Sequence, residues 1–161
     1  MNQHHSQTTK GRYKMKTLTG NCLCGAIAYE VTGELGPIVN CHCLKCRQWH
    51  GSAFRTRSSV PSKNFKWLKG EEKLSQFHSS EHIIKTFCSI CGSNLISILE
   101  NNPDYIGLPI GALEQDPGNR PLMNIFVGSK APWFEITDGL PQYDEWPPGG
   151  PNSVRASEKN N

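Results

Sequence analysis

No run in the 161-residue sequence approaches the roughly 20 consecutive apolar residues that a membrane-spanning helix needs, so no membrane span is expected. Nothing near Met1 reads as an apolar signal segment. There is no Ser-His-Asp set, phosphate loop or carboxylate pair, which leaves hydrolase and nucleotide chemistry without a carrier. There is also no repeat beyond the cysteine pairs described below. Acidic residues are missing from residues 1–16, where Lys10, Arg12, Lys14 and Lys16 lie. Beyond them 13 basic residues face 14 acidic ones, so the formal charge of +3 comes from the leader and the body is near neutral. A surface for duplex nucleic acid would concentrate Lys and Arg on the fold itself, so nucleic acid is not an expected partner.

No cysteine stands alone either. The seven fall into Cys22/Cys24, Cys41/Cys43/Cys46 and Cys88/Cys91. Cysteines one or two residues apart can turn their thiolates toward one ion at about 2.3 Å, whereas disulfides between such close neighbours would be strained. The plainer reading, buried thiols or redox pairs, does not account for the clustering, and zinc is expected. An odd count at metal spacing points to a reducing interior, and a cytoplasmic location is the default.

Seven sulfurs divide into a closed set of four and an open set of three. Cys88-Ser-Ile-Cys91-Gly92 has the form of a zinc knuckle, and Cys22-Leu-Cys24-Gly25 has a matching trailing glycine. Cys22, Cys24, Cys88 and Cys91 are therefore assigned to a structural zinc, and Cys41, Cys43 and Cys46 to a second ion with a vacant position. A ribbon pairing Cys43/Cys46 with Cys88/Cys91 is the rival, and spacing alone leaves it open.

The order Gly20-Asn-Cys22-Leu-Cys24-Gly25, Cys41-His-Cys43-x-x-Cys46-Arg47, Gly51-Ser-Ala-Phe54 and Phe87-Cys88-x-x-Cys91-Gly92 resembles the glutathione-dependent formaldehyde-activating enzyme family, which includes the centromere protein V type. Ser129-Lys-Ala-Pro-Trp133 and Asp138-Gly-Leu-Pro141 are similar to its C-terminal part, so the likeness runs from about Leu18 to Trp146. The resemblance implies a mainly β architecture, a β-tent of twisted antiparallel sheets joined around the structural zinc. It implies the same division of ligands, two zinc ions per chain, and a carbon–sulfur lyase or synthase acting on the hemithioacetal of glutathione and formaldehyde. Asn124 departs from the pattern, standing where many members carry a histidine.

Along the chain, residues 1–16 read as a disordered leader, 17–148 as one domain, and 149–161 as a flexible tail. Ile27, Tyr29 and Val31 alternate along a strand. The triplet lies on a loop, with Arg47 to Gly51 as a short helical turn and Ser52 to Arg57 as a strand. Phe65 and Trp67 alternating with lysines fit a half-buried strand better than a stacking platform for single-stranded nucleic acid. Leu74–Phe77 and Ile83–Phe87 form a hairpin turning at residues 78–81, with a further strand over 94–99. Residues 103–111, broken by glycine and proline, suggest an edge strand or bulge, and Leu122–Val127 is another strand. Residues 131–135 are expected to pack by their aromatics.

A site of three thiolates carries net negative charge and is a weak activator of water, so its natural fourth ligand is a substrate thiol. Cys41, Cys43 and Cys46 are thus the catalytic candidates, glutathione the expected partner, and Lys45, Arg47 and Arg55 candidate contacts for its carboxylates. His42 could ligate, support a thiolate or face outward; His50 reads as an ordinary loop histidine, and Trp49 as core or pocket wall. A thiol-binding module without catalysis, or a scaffold of the centromere type, are the alternatives.

Overall fold

A computed structural model describes residues 16–155. The expected leader lies outside the described residues apart from Lys16, whose ammonium donates to the carbonyls of Asp116 and Pro117. The described elements run β1 (Thr17–Asn21), β2 (Ala28–Thr32), β3 (Ile38–Cys41), α1 (Leu44–His50), β4 (Arg55–Pro61), β5 (Phe65–Lys69), β6 (Leu74–Ser80), β7 (Ile83–Cys88), β8 (Asn94–Leu99), β9 (Tyr105–Pro109), β10 (Pro121–Ile125) and β11 (Gln142–Tyr143). Short 3-10 turns connect several of them.

Two sheets result. The smaller is antiparallel in the order β1-β2-β5, and the larger runs β11-β10-β3-β4-β9-β8-β7-β6. The mainly β expectation holds, with one refinement: β10 runs parallel to both β3 and β11, while the other pairings are antiparallel.

Alternation dictates which face each strand buries. Tyr29 and Val31 of β2 are fully buried, as is Ile27 just before them, and they pack with Leu18, Val60, Leu95 and Leu108. Each such side chain contributes roughly 1.5–3 kcal/mol through burial. Phe65 and Trp67 close over Tyr29, with ring centroids 5.2 and 6.0 Å from it, so the lysine-aromatic stretch is a half-buried strand. On β4 the same period puts Ser58 and Val60 inward and Arg55, Arg57 and Ser59 on the opposite face, where all three line a cavity.

Three local expectations change. β9 is interior, between β4 and β8, because Pro109 sits at its end and Gly107 offers its carbonyl to the Arg55 guanidinium. β6 continues through His78 to Ser80, where a register shift between those two residues absorbs what looked like the turn. Within the expected tail, Gly150–Val154 forms a 3-10 turn with Val154 buried against Val39, Cys41, Cys46 and Ile125, while residues 156–161 lie outside the described residues.

Candidate metal centres and the cavity beside them

Cys22 and Cys24 occupy the β1–β2 loop, while Cys88 ends β7 and Cys91 lies in the turn to β8. The smaller sheet and the larger one therefore meet at these four residues. Their sulfurs all lie within 4.8 Å of one another. The separations of 3.5 Å for Cys22–Cys24 and 3.9 Å for Cys24–Cys88 bracket the roughly 3.8 Å between thiolates about 2.3 Å from a tetrahedral ion, so the donor set fits zinc. Both loops turn the same way. Gly25 and Gly92 have φ of 72° and 73°, and their N–H groups donate to the carbonyls of Cys22 and Cys88, each at 2.9 Å. Glycine is suited to this left-handed position because it has no Cβ to clash. Leu23 N–H donates to Ser93 Oγ at 2.9 Å and fastens one loop to the other. The Ser93 hydroxyl, 3.2 Å from the Cys91 sulfur, together with the backbones of Ser93 and Cys24 pulls that thiol down to about 5.

The second group is Cys41, Cys43 and Cys46, again within 4.8 Å sulfur to sulfur. β3 delivers Cys41. Cys43 caps α1, its sulfur accepting the Cys46 N–H at 3.4 Å, and Cys46 projects from the first turn. Among the described residues no histidine, aspartate, glutamate or further cysteine joins these three. The rival ribbon pairing is not the grouping seen. Hydrogen bonds from Cys41 and Cys43 hold Cys46 well below the usual thiol range, with Lys85 and Arg55 adding positive potential; the Cys41 thiol is correspondingly pushed up.

His42 does not join the sulfurs. It is fully buried between Phe54 and Phe134, and its Nε2 lies 2.8 Å from Asn124 Oδ1. Asn124 Nδ2 donates to the Asp138 carboxylate at 3.0 and 3.1 Å, so its Oδ1 must accept and His42 Nε2 must carry the proton. Asn124 and Asp138 thus support the ligand loop from behind, a role their sequence positions did not reveal. His50 is half-buried at the end of α1, and burial, with Arg55 and Lys85 nearby, lowers it to about 4. Trp133 is mainly exposed, against expectation, and Phe134 alone makes the buried contact.

The triplet opens onto a cavity of about 470 Å³. Lys45 and Arg55 line it as expected, but Arg47 does not; its guanidinium donates to the Ser129 carbonyl at 3.1 Å. Arg57, Lys85 and Arg155 line it as well, against one acid, Glu81. Arg55 faces Cys41 across the β3–β4 ladder and donates to Ser97 Oγ at 3.0 Å and to the Gly107 carbonyl at 3.1 Å. Burial lowers it to about 10, leaving it positively charged at neutral pH. Trp146 and Phe126 form an aromatic wall, their ring centroids 5.0 Å apart, with Phe126 held at a φ of 58°.

The profile of the family described as glutathione-dependent formaldehyde-activating enzyme matches residues 17–129, most of the chain and both cysteine groups. The chain belongs to that family. A protein of Colletotrichum graminicola, provisionally named a glutathione-dependent formaldehyde-activating enzyme, is 29% identical over 126 residues. That match covers 75% of this chain, which spans 66% of the relative's length. A crystal structure of a Rhodobacter sphaeroides protein shares the fold with a TM-score of 0.52 at 20% identity, covering 78% of this chain and 98% of that one. Among the described residues no helix is long and apolar enough to cross a membrane.

Proposed function

We propose that this member of the family makes and breaks the carbon–sulfur bond of the hemithioacetal between glutathione and formaldehyde, with one zinc ion held by Cys41, Cys43 and Cys46 and a second, architectural ion held by Cys22, Cys24, Cys88 and Cys91. The observation that carries this reading is three converging sulfurs, without a fourth ligand among the described residues, at the edge of a cation-lined cavity. When bound there, zinc supplies a soft Lewis acid that favours the thiolate form of an incoming thiol.

The protein's own groups orient the reactants. Arg55, fixed by Ser97 and Gly107, keeps positive charge beside the sulfurs. Trp146, Phe126 and Val154 cover the cavity with apolar surface and limit water around the reacting carbon. In the synthetic direction the thiolate lone pair forms the C–S bond, the carbonyl π pair moves to oxygen, and that oxygen takes a proton; cleavage is the reverse.

The test is the rate of hemithioacetal exchange, followed by NMR on protein with measured zinc content. Acceleration by the zinc-loaded protein and its loss in Cys43→Ser support the proposal. A fully metallated protein giving the uncatalysed rate would sink it; tight glutathione binding without acceleration would instead mark a thiol-binding module.

A further inference from the structure

We infer that Lys85, assisted by Arg57, is the anion anchor of the cavity and makes it selective for carboxylate-bearing thiols over neutral ones. The inference deepens the function proposed above and rests on it for the identity of the thiol.

Lys85 lies in the middle of β7, only 5% exposed, and lines the cavity. Its Nζ sits 5.9 Å from the Trp49 ring centroid, a cation–π contact that leaves its three N–H donors free to turn into the cavity. An ammonium has three donors, and a buried charge persists where an opposite charge or acceptor meets it. Within the cavity wall, Arg55 is of like charge and has already committed two donors to Ser97 and Gly107. Glu81 cannot serve, since its side chain is 87% exposed and lies 3.8 Å from His82. The triplet sulfurs attract Lys85, Cys46 most strongly, but with zinc loaded their charge would be shared with the ion and with Arg55.

The sheet register lines cations along one wall of the cavity at this place. Ser59, Gly107, Ser97 and Lys85 are cross-strand neighbours in one row. The middle of that row is a glycine and a serine, and the Arg55 guanidinium lies over them, so the floor between β4 and β7, whose backbones are roughly 14 Å apart at the usual strand spacing, is itself cationic. Arg57 rises at one side, half-buried, with its guanidinium 5.6 Å from the Trp146 ring centroid. Lys85 rises at the other. A planar guanidinium can grip a carboxylate through two hydrogen bonds and an ammonium through one, so Arg57 and Lys85, on either side of the committed Arg55, suit a peptide thiol with two carboxylates.

The experiment is calorimetric titration of zinc-loaded protein with S-methylglutathione, which keeps both carboxylates but has no free thiol, and with glutathione and its diethyl ester. The unmodified protein should bind the diethyl ester at least about tenfold more weakly than glutathione. Lys85→Met should weaken S-methylglutathione by a similar factor with zinc content and melting temperature retained, Lys85→Arg should restore most of the affinity, and Arg57→Met should show a smaller loss. Equal binding of ester and acid by the unmodified protein would overturn the inference even if Lys85→Met does not fold. So would a Lys85→Met protein that loses zinc but not the preference for the acid, since Lys85 would then serve the sulfurs alone. Ester discrimination without acceleration of hemithioacetal exchange would leave the anchor standing and remove the reaction; acceleration with equal kcat/KM for acid and ester would do the opposite.

Discussion

The Nε2 of His42 lies 2.8 Å from the Oδ1 of Asn124, and that contact ties the loop carrying Cys41 and Cys43 to the Asp138 segment behind it. Asn124→Leu would leave a buried imidazole N–H without an acceptor and deprive Asp138 of two donated hydrogen bonds. The expected cost is about 1–3 kcal/mol of stability, read by thermal melting. Because His42 sits between two of the triplet cysteines, zinc held there should also become easier to remove, by about tenfold or more in competition with a chelator. An unchanged chelator curve would show that the buried chain supports the fold and not the site.

Gly20 pairs with Tyr29 across β1 and β2. A methyl group on Gly20 would overlap the Tyr29 ring and come within 2.7 Å of the Ala112 carbonyl oxygen. The ring is walled in by Phe65 and Trp67, and the carbonyl is backbone, so neither yields cheaply. Gly20→Ala is expected to cost about 2–4 kcal/mol through overpacking. Thermal melting should show a drop of roughly 5–15 °C. A drop of a degree or two would mean that the tyrosine has space to move.

The three cysteine motifs and most strands were legible because their signals are local: ligand spacing, trailing glycines, and alternation such as Ile27, Tyr29 and Val31; the joining of Cys22 and Cys24 to Cys88 and Cys91 comes only from the fold. Residues 103–111 read as an edge strand or bulge because glycine and proline usually weaken interior strands. Here Gly107 is interior for the opposite reason, since the space above it admits the Arg55 guanidinium. Arg57 carried a usable signal, the Arg-Thr-Arg alternation over residues 55–57, which puts both arginines on one face of β4. Lys85 carried none. Its register against Ser97 and Gly107 depends on strands distant in sequence, and no local pattern tells a lysine facing a cavity from one facing solvent. His42, Asn124 and Asp138 are separated by 82 and 14 residues in sequence, and only the fold joins them.

Acid should open the four-cysteine group through Cys91. The Ser93 hydroxyl first, then the backbones of Ser93 and Cys24, lower this thiol from about 9 to about 5, so between those values the unfolded chain binds more protons than the folded one. Its stabilising contribution is complete above about 9 and is lost as pH falls through about 5. Ser93→Ala removes the hydroxyl, so metal release on acidification should begin at higher pH. Zinc retained after stepwise acidification, with the unmodified protein as reference, is the measurement; coincident release curves would show that Ser93 does not set the Cys91 proton affinity.

Removing one sulfur from each group should separate architecture from chemistry. Cys88 lies where the two sheets meet, and structural zinc couples ion binding directly to folding. Cys88→Ser is therefore expected to lose one equivalent of zinc and a large part of the protein's thermal stability. Cys43 caps a helix of seven residues, and its sulfur makes one long hydrogen bond, 3.4 Å from the Cys46 nitrogen. Serine is itself a preferred N-cap, so Cys43→Ser keeps an acceptor for that N–H and the helix start. Cys43→Ser should thus lose the other equivalent while shifting the melting temperature by only a few degrees, and it should remove the acceleration of hemithioacetal exchange. Elemental analysis beside melting curves decides the matter. If the two variants destabilise the chain equally, the triplet is a second structural joint, and the division of seven cysteines into a closed and an open set is wrong.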